Sequence, residues 1–156
     1  MPANLGKLLK NSAEKYPSRT AIVFGQKKIT YKYLNEITDQ LACGLITLGI
    51  KKGERIAIFL DNCPEFVYSY YAILKAAAVV VPINYMFKIE ETKYILQDSQ
   101  AVCMITSRIY VDMAQELRLR VDSLKNIITP SITRENTLDF YQLKNNKLDL
   151  LKNIQP

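Results

Sequence analysis

Three groups of residues have the type and spacing to do chemistry: the carboxylates Asp61 and Glu90-Glu91, the thiols Cys43, Cys63 and Cys103, and the clustered tyrosines Tyr68, Tyr70 and Tyr71. Asp61 follows an apolar run of strand length, a position where a carboxylate can accept a phosphoryl group or hold Mg²⁺. No second carboxylate cluster or companion lysine stands beside it, so Asp61 and Asn62 read instead as caps of the helix that Pro64 opens. Glu90 and Glu91 have the look of an acidic metal pair, but adjacent helical residues point in different directions. They fit first-turn acids favoured by the helix dipole. Cys63 lies at a helix N-terminus, where the dipole lowers a thiol pKa, or it simply fills the N-cap slot. Without a C-x-x-C pair, the three cysteines read as reduced thiols and not as a metal cluster or disulfide framework. The tyrosines suit stacking on bases or lining an apolar ligand tunnel, or else a tyrosine-rich core and rim.

The chain has 156 residues and no histidine, which removes the Ser/His/Asp triad, the Cys/His pair, a histidine base and any His-containing zinc site. Five scattered glycines make no G-x-G-x-x-G or G-x-x-x-x-G-K-[ST] loop, so neither a dinucleotide nor a P-loop site is indicated. From the residues alone no catalytic, cofactor-binding or metal-ligating set can be assembled.

The formal charge is +6, and its excess sits in residues 1–53, with nine Lys/Arg against three Asp/Glu. A basic surface attracts phosphate, nucleic acid or an anionic membrane. Lys27-Lys28 and Lys51-Lys52 each lie beside a turn glycine, where short basic runs are solvated loop tips, so nucleic acid is not the expected partner. The longest apolar run, from Ala76 to Val81, is six residues. It is far short of the ~20 needed to cross a bilayer. A cytoplasmic chain is expected, with peripheral membrane contact at most.

Those side chains need elements to position them. Leu5, Leu8 and Leu9 share a helical face, and Thr20–Phe24 with Lys27–Thr30 reads as a hairpin around Gly25-Gln26. Leu34, Ile37, Leu41, Leu45 and Leu48 recur at helical spacing behind a Thr30 cap, and Gly49 ends that helix. Strands are expected at Arg55–Leu60, Val79–Pro82, Ala101–Ile105 and Asn126–Pro130, with helices from Pro64, over Ile89–Gln97 and over Ile109–Arg120. Alternating strands and helices of this length build βαβ units. The fold class is therefore α/β, a mostly parallel sheet with helices on both faces, plus a short antiparallel hairpin near the N-terminus. Residues 138–143 read as one or two helical turns, and 144–156 as polar with no clear element.

In order along the chain, Ile29-Thr-Tyr-Lys-Tyr-Leu34, Leu41-Ala-Cys-Gly-Leu45, Leu48-Gly-Ile-Lys-Lys-Gly-Glu-Arg-Ile-Ala-Ile58, Asn62-Cys-Pro-Glu-Phe66 and Ile73-Leu-Lys-Ala-Ala-Ala-Val-Val-Val-Pro-Ile-Asn84 resemble the opening of an adenylate-forming (AMP-binding) enzyme. The Pro-Ile-Asn ending is most similar to the acyl-CoA synthetase branch. One position departs: at Ala77 the family usually has glycine, and a methyl there implies looser packing or a shifted turn.

The resemblance implies a ligase in which a carboxylic acid and ATP give an acyl-adenylate and pyrophosphate, after which the coenzyme A thiol displaces AMP. It implies ATP, Mg²⁺ and coenzyme A as the parent enzyme's cofactors, a small carboxylic acid as its substrate, and a homodimer as in some relatives. The motifs that hold these cofactors would follow Pro156, making the missing downstream part the chain's partner. Residues 1–130 would be the N-terminal α/β subdomain and 131–156 a connecting segment toward the phosphate loop. No catalytic residue carries over; Pro82, Asn84, Tyr85 and Met86 are candidates for the wall of the acyl pocket. A freestanding α/β binding or regulatory module is the other reading.

Overall fold

The computed structural model describes residues 5–130, 135–145 and 147–152; the other residues of the 131–156 segment, and residues 1–4, lie outside the described residues. Helix α1 (Leu5–Lys15) buries Leu9 and Ala13, while Leu5 and Leu8 stay about half exposed. Strands β1 (Thr20–Phe24) and β2 (Lys27–Thr30) pair antiparallel as a separate two-stranded sheet. Phe24 lies opposite Lys27 across the Gly25-Gln26 turn, where Gly25 takes φ 57°. Thr30 then caps α2 (Tyr31–Thr47), its Oγ1 accepting from the Tyr33 N–H at 3.2 Å. Leu34, Ile37, Leu41 and Leu45 form the buried stripe that their spacing predicts.

The main sheet is parallel throughout. Strands β3 (Arg55–Phe59), β4 (Val79–Pro82), β5 (Cys103–Thr106), β6 (Asn126–Thr129) and β7 (Leu138–Asp139) lie in the order β4-β3-β5-β6-β7. Between them run α3 (Pro64–Lys75), α4 (Ile89–Ser99), a 3₁₀ turn (Arg108–Tyr110) and α5 (Val111–Arg120). Pro82 cannot donate to a ladder, and it sits at the end of an edge strand, where that costs least.

Successive strand residues point to opposite faces, and β3 is buried on both. Ile56 and Ile58 pack with Cys103, Ile105 and Ile128 against α1, α2 and α3, whereas Ala57 and Phe59 pack with Met104 and Ile127 against α4 and α5. Each fully buried Ile, Leu or Phe contributes about 1.5–3 kcal/mol relative to exposure. The near-continuous apolar run in β3 is the sequence signature of this two-sided burial.

Three local expectations change. The α3 cap is Cys63, with extended φ and ψ, and not Asp61 or Asn62, both of which are exposed. Pro64 at the first helical position accounts for the shift, because it places the helix start two residues later than a capping Asp61 would. Residues Leu138–Asp139 are a strand and not a helix: β6 would otherwise expose an unpaired edge, and β7 covers it. The predicted turn follows only afterwards, with Asp139 Oδ1 accepting from the Tyr141 and Gln142 N–H groups at 2.8 and 2.9 Å. Ala77 adopts the left-handed conformation, φ 55°, that the family's glycine suits. Short helix α6 (Asp149–Lys152) lies in the stretch read as lacking structure.

Candidate functional site

Open parallel sheets bind ligands beyond the carboxyl ends of their strands, at the point where successive connections leave in opposite directions. From β3 the chain steps outward to β4 through α3, on one face. It then returns past β3 to β5 through α4, on the other. The switch point therefore lies between β3 and β5, bordered by residues 60–63 and 106–110.

Two contacts build this edge. Thr106 Oγ1 donates to the Phe59 carbonyl at 3.0 Å, stitching the ends of β5 and β3, and the Phe59 ring meets Tyr110 edge-on, with centroids 4.9 Å apart. The Ser107 and Thr129 hydroxyls are buried with no hydrogen-bond partner among the described residues. A buried hydroxyl left so costs about 1–3 kcal/mol, so a polar group reaching this edge would be favoured there; the Thr92 and Ser123 hydroxyls, elsewhere in the fold, are likewise buried without a partner among the described residues. What it can do is accept and donate hydrogen bonds.

The pocket-wall candidates Pro82, Asn84, Tyr85 and Met86 are all exposed, in one turn at the carboxyl end of β4. Asn84 organises that turn. Its Oδ1 accepts from the Met86 N–H at 3.0 Å and its carbonyl from the Phe87 N–H at 3.0 Å, leaving Met86 74% exposed. The flanking Ile83 and Phe87 pack on the α4/α5 face, whereas Tyr68, Tyr70 and Tyr71 of α3 pack on the α1/α2 face. The turn and the tyrosine helix thus do not converge on one wall.

The thiols are not activated. Burial pushes Cys63 up to about 11 and the fully enclosed Cys103 up to about 12, and it raises Cys43 as well. At Cys63 desolvation outweighs the hydrogen bond from the Phe66 backbone N–H, and the nearby Glu65 and Asp61 carboxylates add to the rise. Glu91 accepts from the Lys88 N–H at 2.9 Å, the backbone half of a capping box, and Glu90 pairs with Arg120 of α5 and Lys93. Arg120 holds the Glu90 carboxyl below its ordinary range. Among the described residues no group of three or more His, Cys, Asp or Glu could hold a metal ion, and no helix is long and apolar enough to cross a membrane.

One polar pair spans the fold without any cue in local spacing. Tyr141 donates its hydroxyl to Glu65 Oε1 at 2.5 Å, tying the segment after β7 to the first turn of α3. Tyr68 and Tyr33 pack edge-on beside it, and burial lifts the Tyr68 phenol to about 12.

Comparison with known proteins sets this arrangement in a family. The family model for AMP-binding enzyme matches residues 9–153. A crotonobetaine/carnitine–CoA ligase from Salmonella paratyphi A is 38% identical over 120 residues, covering 74% of this chain and 23% of the relative. The corresponding ligase of Citrobacter koseri is 34% identical over 150 residues, 90% of this chain and 29% of the relative. Among solved structures, a fatty acyl CoA synthetase of Mycobacterium tuberculosis superposes with a TM-score of 0.75 at 30% identity, covering 81% of this chain and 26% of that one. The chain therefore spans about a quarter of the length of the curated relatives it matches. Family-model match, block order and fold agree, and the chain belongs to the AMP-binding enzyme family.

Proposed function

We propose that the protein containing this chain is an ATP-dependent acyl-CoA ligase, and that the chain is its N-terminal layer without catalytic motifs of its own. The observation that carries the reading is the AMP-binding match across residues 9–153, supported by relatives named as CoA ligases. In the proposed reaction a small carboxylate attacks ATP, forming an acyl-adenylate and releasing pyrophosphate; the coenzyme A thiol then attacks the acyl carbon and AMP leaves. The adenylate step needs groups that neutralise charge on the phosphates. The reading assigns the groups that hold Mg²⁺, ATP and coenzyme A to sequence outside this chain. In this reading residues 1–130 are the α/β subdomain and 131–156 lead onward, the latter still lending β7 and Phe140 to the sheet and its core. The Pro82–Met86 turn contributes a wall of the acyl pocket, and the enzyme works in the cytoplasm as a homodimer.

The test is acid-dependent ATP–pyrophosphate exchange, followed by thioester formation with coenzyme A, on the full-length protein. The panel of acids includes carnitine and crotonobetaine, after the names of the relatives, beside fatty and aromatic acids of graded size. Exchange with at least one acid is expected, and none from residues 1–156 alone. Exchange by the isolated chain, or none by the full-length protein with any acid, sinks the reading.

A further inference from the structure

The β1–β2 hairpin forms a sheet of its own, and its two ends differ in character. Its base is anchored: Ile29 is buried, Ala21 and Ile22 pack against the core, and the Tyr31 N–H donates to the Arg19 carbonyl at 3.0 Å. Its tip is bare. Val23 is 65% and Phe24 47% exposed, at the turn end of the strand pair.

Cross-strand register decides what this tip presents. Val23 lies opposite Lys28, and Phe24 opposite Lys27. Directly opposed residues share a face, and neighbours along a strand take opposite ones. Each face of the tip thus carries one apolar side chain and one lysine. Among the described residues neither lysine has an ion-pair partner. The surrounding third of the chain adds to this charge, with nine Lys/Arg against three Asp/Glu in residues 1–53, and one of those acids, Asp39, is occupied by Lys75.

We propose that the hairpin tip docks on an anionic phospholipid surface, with Val23 and Phe24 entering the interface and Lys27 and Lys28 pairing with lipid phosphates. A bilayer interface satisfies both halves of this pattern, because lysine stems lie along apolar surface while their ammonium groups stay among the headgroups. A nucleic acid would meet the lysines but leave the aliphatic Val23 in water. A second copy of the same tip would bring four lysines together. One hairpin supplies few insertion groups, so the contact is peripheral and reversible.

Co-sedimentation of the full-length protein with vesicles tests this, using phosphatidylcholine with and without about a third phosphatidylserine. Binding is expected only to the anionic vesicles, falling as salt rises. Val23→Ser with Phe24→Ser should weaken it about tenfold or more, since both side chains leave the interface. Lys27→Glu with Lys28→Glu should abolish it. All four sites are exposed, and unchanged circular dichroism verifies folding of each variant. No binding to anionic vesicles overturns the proposal. So does binding that survives the serine pair, binding to an oligonucleotide but not to vesicles, or self-association lost in the serine pair without vesicle binding. None of these outcomes depends on ligase activity.

Discussion

The Gly53 N–H donates to the Ala77 carbonyl at 2.9 Å, and both residues hold left-handed backbone, φ 81° and 55°. The bond joins the turns that launch β3 and β4, and the Val79 N–H reaches the Glu54 carbonyl at 2.8 Å one step further on. Together they set the register that places Arg55 beside Val79 and, at the carboxyl end, Ile58 beside Pro82. The position of the Pro82–Met86 turn is thus fixed from the opposite, amino end of the same strand pair.

Alanine in the left-handed region costs about 1–2 kcal/mol relative to glycine, partly offset by the greater freedom of an unfolded glycine. Ala77→Gly should therefore stabilise the protein by about 0.5–1 kcal/mol, seen as a higher urea midpoint at unchanged slope. Gly53→Ala should destabilise it by about 1 kcal/mol, for backbone reasons alone, because a Cβ there meets nothing within 4 Å. A neutral or lower midpoint for Ala77→Gly contradicts this account.

Period and punctuation made the parallel core readable from sequence. The α2 stripe, the Thr30 cap, Pro64 at the helix start and the two-sided apolar run of β3 are all local patterns, and all appear in the fold. Features set by tertiary competition were not readable. Leu138–Asp139 becomes a strand because β6 offers it an edge, and Glu65 meets Tyr141 across 76 residues of sequence. At the candidate site, the residues after each strand could be located from the pattern, but the unpartnered Ser107 and Thr129 hydroxyls depend on how neighbouring strand ends pack.

Lys75 links α3 to α2 with its side chain only 8% exposed. Its ammonium lies 2.7 Å from Asp39 Oδ1, 2.8 Å from Asn35 Oδ1 and 2.9 Å from Thr38 Oγ1. Removing one partner of such a pair strands the other, so Lys75→Met should cost about 2–4 kcal/mol. Lys75→Met combined with Asp39→Leu should cost less than the sum of the single changes. Additive losses in the double-mutant cycle would show that the pair is not coupled. Burial lowers the Lys75 pKa against the pull of Asp39. The unfolded chain therefore binds this proton more readily, and Lys75 contributes stability that rises with pH up to its ordinary 10.5.

The buried thiols and phenol work in the opposite sense above pH 9. Cys63 is raised from 9.0 to about 11, Cys103 from 9.0 to about 12 and Tyr68 from 10.0 to about 12. Between the unfolded and folded values the native state holds the proton that the unfolded chain has lost, so stability is intact below 9 and falls as pH rises through these windows. Urea midpoints taken in steps from pH 8 to pH 11 should decline, and Cys63→Ala should flatten the first part of the decline, between 9 and 11. An unaltered slope in that variant assigns the loss elsewhere.

Gly44 lies within α2, where alanine ordinarily stabilises by about 1 kcal/mol. Here the sign should reverse. A Cβ at Gly44 would stand 1.9 Å from the Leu143 carbonyl oxygen, a backbone atom that cannot yield by a rotamer change. The segment after β7 uses this gap to lie across the helix. Its Asn145 N–H donates to the Gln40 carbonyl at 3.0 Å, Asn145 Nδ2 to Thr47 Oγ1 at 3.1 Å, and the Cys43 thiol to the Lys147 carbonyl at 3.4 Å. Gly44→Ala must lift this segment or bend the helix, and a net loss of about 1–3 kcal/mol is expected. Cys43, fully buried in the intact fold, reports which of the two gives way. If the segment lifts, a thiol reagent should label Cys43 in Gly44→Ala under conditions that leave the parent protein unmodified. A Gly44→Ala protein that is more stable, with Cys43 still protected, would mean that the segment does not close over the helix at this glycine.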